Sequence, residues 1–193
     1  TYGITLAGEL VEEVSGLPFE TYLRQNIWQP LGMSRSSISV PADRQDDVAI
    51  GYQLKGLDLA PQPWEWYHTT PASSVNSTVA DMAKFLIAHL ELGQGGGGRL
   101  FSERTAREMQ RQQITMHPSM PGWALGFYED RVGLQRVLEH GGNMAGFSAV
   151  MVLIPTENAG FFVVNQFEGS QLRDDLKWML PERFFPAARK PRP

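Results

Sequence analysis

The sequence predicts an α+β fold, a helical region followed by antiparallel strands and a closing C-terminal helix, and three features predict it. Apolar residues recur at three- and four-residue spacing through much of 1–115. Short apolar runs separated by turn residues fill 123–165. A final helical pattern runs from Ser170 to Phe185. The chain therefore divides into a mainly helical part, 1–115, with one long irregular loop, and a part, 116–193, of strands plus a helix. Both belong to one domain.

Taken in order, Ile4, Ala7, Leu10, Val11 and Val14 mark the first helix, with Gly16 as its stop. Pro18 opens a second, with Phe19, Tyr22, Leu23 and Ile27 facing inward, which ends around Trp28–Met33. Residues 34–76 hold no period and read as irregular, and so long a connection is often functional. That stretch carries Trp64, Trp66, Tyr67 and His68, which either cover a core edge or form a pocket wall. Ser77-Thr78-Val79-Ala80-Asp81 is a helix start with a hydroxyl cap, followed by Met82, Ala83, Leu86 and Leu90 on one face and Gly93 as the stop. Gly95–Gly98 predicts a flexible turn without regular structure, and Ser102 caps a helix reaching about Gln113.

Trp123 to Tyr128 alternates like a strand. Gln135–Glu139 is a second, closing on His140-Gly141-Gly142. Phe147–Ile154 and Phe161–Asn165, joined by Pro155-Thr156-Glu157-Asn158-Ala159-Gly160, form a hairpin. The last helix presents Leu172, Leu176, Met179 and Leu180, and the tail 189–193 frays.

Composition excludes several functions. The chain has 193 residues, a net charge of −4 and no cysteine. The charge argues against a nucleic-acid module, and the missing thiol removes zinc–thiolate sites and cysteine nucleophiles. His68, His89 and His117 lack metal-ligand spacing, so no metal site is expected. His89 reads as a surface or interface residue, Asp81 as a helix cap, and Glu12 and Glu13 as a solvated face. The chain opens Thr1-Tyr2-Gly3-Ile4, with no initiator Met and a helical pattern from residue 4, and reads as a piece of something longer.

Four ordered stretches carry a resemblance. They are Gly8 to Phe19 running into Pro30-Leu31-Gly32-Met33, Ser77 to Leu86, Gly122 to Phe127, and His140-Gly141-Gly142-Asn143-Met144-Ala145-Gly146-Phe147. Together they resemble the later part of the serine β-lactamase-related family, the group of class C β-lactamases, penicillin-binding proteins and esterases. The resemblance implies acyl transfer through a serine in Ser-x-x-Lys, with Tyr-x-Asn as a proton-transfer partner and Lys-Thr-Gly or His-x-Gly on the sheet edge. No serine here has Lys three positions on, and no tyrosine has Asn two positions on. The family pattern places both motifs upstream of Thr1.

His140-Gly141-Gly142 matches the third motif. By this resemblance His140 stabilises or relays charge, Gly142 admits substrate to the backbone, and the Asn143 N–H is one of two oxyanion donors. Gly141, Trp66 and Tyr67 would contact substrate. The plain alternative for 140–142 is a turn with a surface histidine.

Two functions follow. One is the C-terminal part of a serine hydrolase acting on an amide, lactam or ester, inactive as this chain alone. The other is a non-catalytic module of the same fold that binds peptide or cell-wall ligands. No cofactor or metal is implied. The expected partners are a small-molecule or peptide substrate, no nucleic acid, and a complementing N-terminal segment or self-association through an exposed sheet edge or apolar face. A periplasmic, secreted or membrane-anchored bacterial parent is expected rather than a cytoplasmic one.

Overall fold

The computed structural model describes residues 1–65, 67–133 and 135–185. Trp66 and the tail expected to fray, 189–193, lie outside them. Helix α1 (Tyr2–Ser15) ends at Gly16, whose φ of 69° is the left-handed stop expected there. Its packing differs from the periodicity reading. Only Gly8 is buried, in a position where a Cβ would collide with Pro71, and Tyr2, Ile4, Leu10 and Val14 are exposed. Glu12, expected on a solvated face, accepts a hydrogen bond from the Phe19 N–H and so caps the next helix.

That next helix is α2 (Phe19–Leu23), which continues through a π-helical turn (Arg24–Trp28) into α3 (Gln29–Leu31). Residues 34–76 are not wholly irregular. They hold a 3₁₀ turn (Ala42–Asp47), a hairpin of β1 (Tyr52–Lys55) and β2 (Asp58–Pro61), and the short helix α4 (Thr70–Ser73). Gly56 turns the hairpin at a φ of 69°.

Helix α5 (Val79–Leu90) starts as the sequence predicts, with Thr78 Oγ1 accepting from the Asp81 N–H at 3.2 Å. The Asp81 side chain does more than mark a first turn. It is buried, and it accepts from the Arg35 N–H (2.8 Å), the Ser36 hydroxyl (3.0 Å) and Lys84 (3.0 Å), tying the chain after α3 to α5. The glycine run is ordered rather than a loose turn. β3 (Gln94–Gly95) pairs with β4 (Gly98–Arg99), and Gly95 and Gly97 press onto Leu31 and the Pro30 carbonyl with no room for a Cβ. Helix α6 (Glu103–Gln110) is capped by Ser102 at 3.1 Å and stops three residues short of the expected end.

Four antiparallel strands follow in the order β5-β6-β7-β8: β5 (Tyr128–Val132), β6 (Gln135–Met144), β7 (Phe147–Ile154) and β8 (Ala159–Asn165). The strand expected at 123–128 is not one. Trp123 makes only isolated bridges to Ile114 and Tyr128, Gly126 turns the chain at a φ of 79°, and pairing begins at Tyr128. The β7–β8 hairpin stands as predicted.

The sheet is covered on both faces, which is why β7 reads as an unbroken apolar run. Leu138, Met151 and Leu153 meet Leu86 of α5 and Phe127 on one face. Val137, Val150, Val152 and Ile154 form the core of the other, with Phe185 at the end of α7 (Gln171–Phe184) packed against it. A third cluster of Trp28, Leu31, Met33 and Ala88 joins the helices. Helix α7 uses only part of the apolar face predicted for it: Leu176 and Leu180 are half-buried, while Leu172 and Met179 are exposed. Beside Phe185, its contact with the sheet includes polar bonds from Arg173 and Lys177.

Candidate functional site

The candidate site is the far half of β6. The sequence placed His140-Gly141-Gly142 at the close of a short strand, or in a turn. The structure runs one strand through them to Met144. The reason lies in the register: His140↔Met151, Gly141↔Val150, Gly142↔Ala149 and Asn143↔Ser148 all pair with β7. On its other side β6 is paired with β5 only as far as Tyr128↔Glu139. From His140 onward, then, one edge of β6 has no neighbouring strand among the described residues.

That edge presents backbone groups. Met144 and Phe147 are the closing pair of a hairpin whose two-residue turn is Ala145-Gly146. Antiparallel pairs alternate between bonded and non-bonded positions, so the N–H and C=O of Gly141 and Asn143 turn away from β7 toward the open edge. An extended ligand laid along that edge meets a donor at Asn143. The turn is held by the long 34–76 connection. Gly146 sits at a φ of 77°, and its Cα is so close to Gly51 that a Cβ on either would meet backbone within 2.8 Å. The Tyr52 N–H donates to the Gly146 carbonyl at 3.3 Å.

Side chains alternate across β6. His140 stands on the α5 face with Leu138. It is solvent-exposed, and its ring stacks on Tyr128 with centroids 5.3 Å apart and planes at 18°. Tyr128 in turn meets Trp123 in a T-shaped contact with centroids 4.3 Å apart. Partial desolvation pushes the His140 imidazole below the ordinary 6.5, with the Glu139 carboxylate opposing. At neutral pH the ring is uncharged and offers one donor and one acceptor.

Asn143 stands on the opposite face. Its Oδ1 accepts from the Ser148 hydroxyl (2.7 Å) and from Arg173 Nη1 (3.0 Å). Beside the turn opens a cleft of about 440 Å³, lined by Thr1, Glu65, Tyr67, Asn143, Met144 and Glu168 among others. The structure thus brings the predicted Tyr67 and Asn143 together, while His140 projects from the other face. The Tyr67 hydroxyl donates to Glu65, and that bond, with burial next, raises its pKa against an opposing backbone contact from Ala145. Trp66 lies outside the described residues.

His89 is a correction to the sequence reading. It is 2% exposed, not a surface residue, and is walled by Phe85, Phe101 and Phe127. Burial pushes it down to about 4. Among the described residues, no group of three or more His, Asp or Glu side chains is placed to hold a metal, and no helix is long and apolar enough to cross a membrane. Sequence reasoning missed Tyr128, Arg173 and Lys177. Nothing local in the sequence marks the last two, whose partners on β6 lie 30 and 38 residues away along the chain.

The beta-lactamase family profile matches residues 1–180, and the chain belongs to that family. It is 28% identical over 175 residues to the unguisins hydrolase ungD' of Aspergillus campestris, an alignment covering 83% of this chain and 31% of that protein. Its fold is similar to that of the octameric penicillin-binding protein homologue from Pyrococcus abyssi, with a TM-score of 0.78, 26% identity and coverage of 95% of this chain and 43% of that one. It is also similar to the D-alanine carboxypeptidase AmpC from Burkholderia cenocepacia, with a TM-score of 0.75, 19% identity, and coverage of 92% and 58%. The chain therefore spans about a third to somewhat over half the length of these relatives.

Proposed function

We propose that this chain supplies the oxyanion edge of a serine hydrolase that cleaves an amide, lactam or ester by acyl transfer. The observation that carries the reading is the open edge of β6. His140 stands exposed at its start, and the Asn143 N–H faces away from β7 near its end. In this proposal the nucleophilic serine and its lysine, and the Tyr-x-Asn partner, come from residues upstream of Thr1. The chain alone carries neither motif and does not turn over substrate.

The step proceeds as follows. The serine oxygen adds to the carbonyl carbon, and the negative oxygen settles between two N–H donors, that of Asn143 and that of the serine itself. The neutral His140 imidazole hydrogen-bonds to the reacting group and helps move the proton from the serine to the departing nitrogen or oxygen. The carbon–nitrogen or carbon–oxygen bond breaks, and water then releases the acyl group by the same route. Exposed apolar residues of α1, among them Ile4, Leu10 and Val14, are the surface the upstream residues cover.

In the protein that includes the upstream residues, His140→Ala lowers the acylation rate about a hundredfold. The wild-type rate falls on the acid side, below pH 6.5, because protonation of His140 removes its acceptor and its shift is downward. A rate unchanged by the substitution removes His140 from the site.

A further inference from the structure

We infer that helix α7 grips the reacting half of β6 from behind through two side chains, and that Arg173 and Lys177 are positioning residues for the Asn143 N–H. The inference rests on the proposed reading of β6 as the oxyanion edge.

The geometry is a two-point clamp. Glu139, Gly141 and Asn143 alternate onto one face of β6, the face that Val137 shares with the second core cluster. Arg173 and Lys177 lie one turn apart on the face of α7 that meets it. Lys177 donates to Glu139 Oε1 at 2.7 Å and pairs with Asp130 Oδ2 of β5 at 2.9 Å. Arg173 Nη1 donates to Asn143 Oδ1 at 3.0 Å. Between the two anchors, Gly141 has no side chain, and the guanidinium fills the space: a Cβ there would lie 3.7 Å from Arg173 Nη1. The Asn143 anchor is continued inward. Its oxygen also accepts from Ser148, a buried hydroxyl that receives the Gly169 N–H at 2.9 Å just before α7 begins.

The clamp answers a mechanical problem. Among the described residues, 140–144 have no strand neighbour on the β5 side, and they include two consecutive glycines, which loosens their backbone. An oxyanion donor must nonetheless be held within a fraction of an ångström. Anchors at both ends of the segment, Glu139 and Asn143, supply the stiffness that a fifth strand would otherwise give. The two cations and Glu139 have side chains 14–19% exposed, so solvent competes weakly for the Lys177–Glu139 bond, while the Arg173–Asn143 bond lies at the exposed end of the segment.

The test uses backbone amide order parameters of this chain together with kinetics of the acylating protein. In Lys177→Met, Arg173→Met, and Asn143→Ala, which spares α7, the order parameters of Gly141, Gly142 and residue 143 fall from about 0.85 toward 0.6. Those of β7 and β8 hold. Lys177→Arg, which can keep both ion pairs, restores them. In the acylating protein the same substitutions reduce kcat about tenfold or more with KM within about twofold. Unchanged order parameters at 141–143 overturn the proposal. So does a loss spread evenly over all four strands, the mark of a merely structural role. Absence of any acylation in the wild-type protein counts against the proposed function, while the order parameters still decide the clamp.

Discussion

At the scale of single residues, His89 shows how far burial governs chemistry here. Its ring sits among Phe85, Phe101 and Phe127, and among the described residues its Nδ1 has no hydrogen-bond partner. The folded pKa of about 4 lies below the ordinary 6.5. The unfolded chain thus binds a proton that the native chain refuses, and stability present above pH 6.5 is lost as pH falls toward 4. The full loss is roughly 3 kcal/mol. Urea midpoints between pH 7 and pH 4 should drop for the wild type and flatten for His89→Leu, and an equal slope in both contradicts the assignment. The position was legible in part, because His89 falls four residues after Phe85 and three after Leu86 on the apolar stripe of α5. Reading a histidine as polar hid that. The His140-Gly141-Gly142 stretch could be singled out because the motif is local. Arg173 could not, because its meaning depends on a strand thirty residues away.

At the scale of elements, the hairpin turn beside Asn143 decides whether the edge exists. Gly146 carries a φ of 77°, and a Cβ on it would lie 2.6 Å from the Gly51 backbone. Gly146→Ala therefore meets both a backbone penalty and a collision, and lowers stability by about 2 kcal/mol or more. The urea midpoint measures this, and a loss under about 0.5 kcal/mol contradicts the close approach. Elements with a strong period or cap were readable, as α5, β7 and β8 show. Strand β5 was not, because Tyr128-Glu129-Asp130-Arg131-Val132 is mostly charged. Glu129 enters the sheet only because Arg136 and Gln112 bond it, and burial raises its carboxyl pKa less than those partners and the Gly122 N–H lower it. The hairpin of β1 and β2 hid for a similar reason, being exposed along most of its length.

At the scale of the molecule, the helix-then-sheet order and the family were legible. What no periodicity could reveal was which faces would remain bare. Helix α1 keeps Tyr2, Ile4, Leu10 and Val14 in solvent, and among the described residues the edge of β6 is unpaired beyond Glu139. Both bare surfaces are what the proposed upstream segment would meet. The central claim, that this chain holds the oxyanion edge but not the nucleophile, is tested most directly by fluorophosphonate labelling read by intact mass. The account predicts no adduct on the 193-residue chain and one adduct per chain, on a serine upstream of Thr1, when the natural upstream residues are present. A stoichiometric adduct on the 193-residue chain, abolished by denaturation, would contradict it.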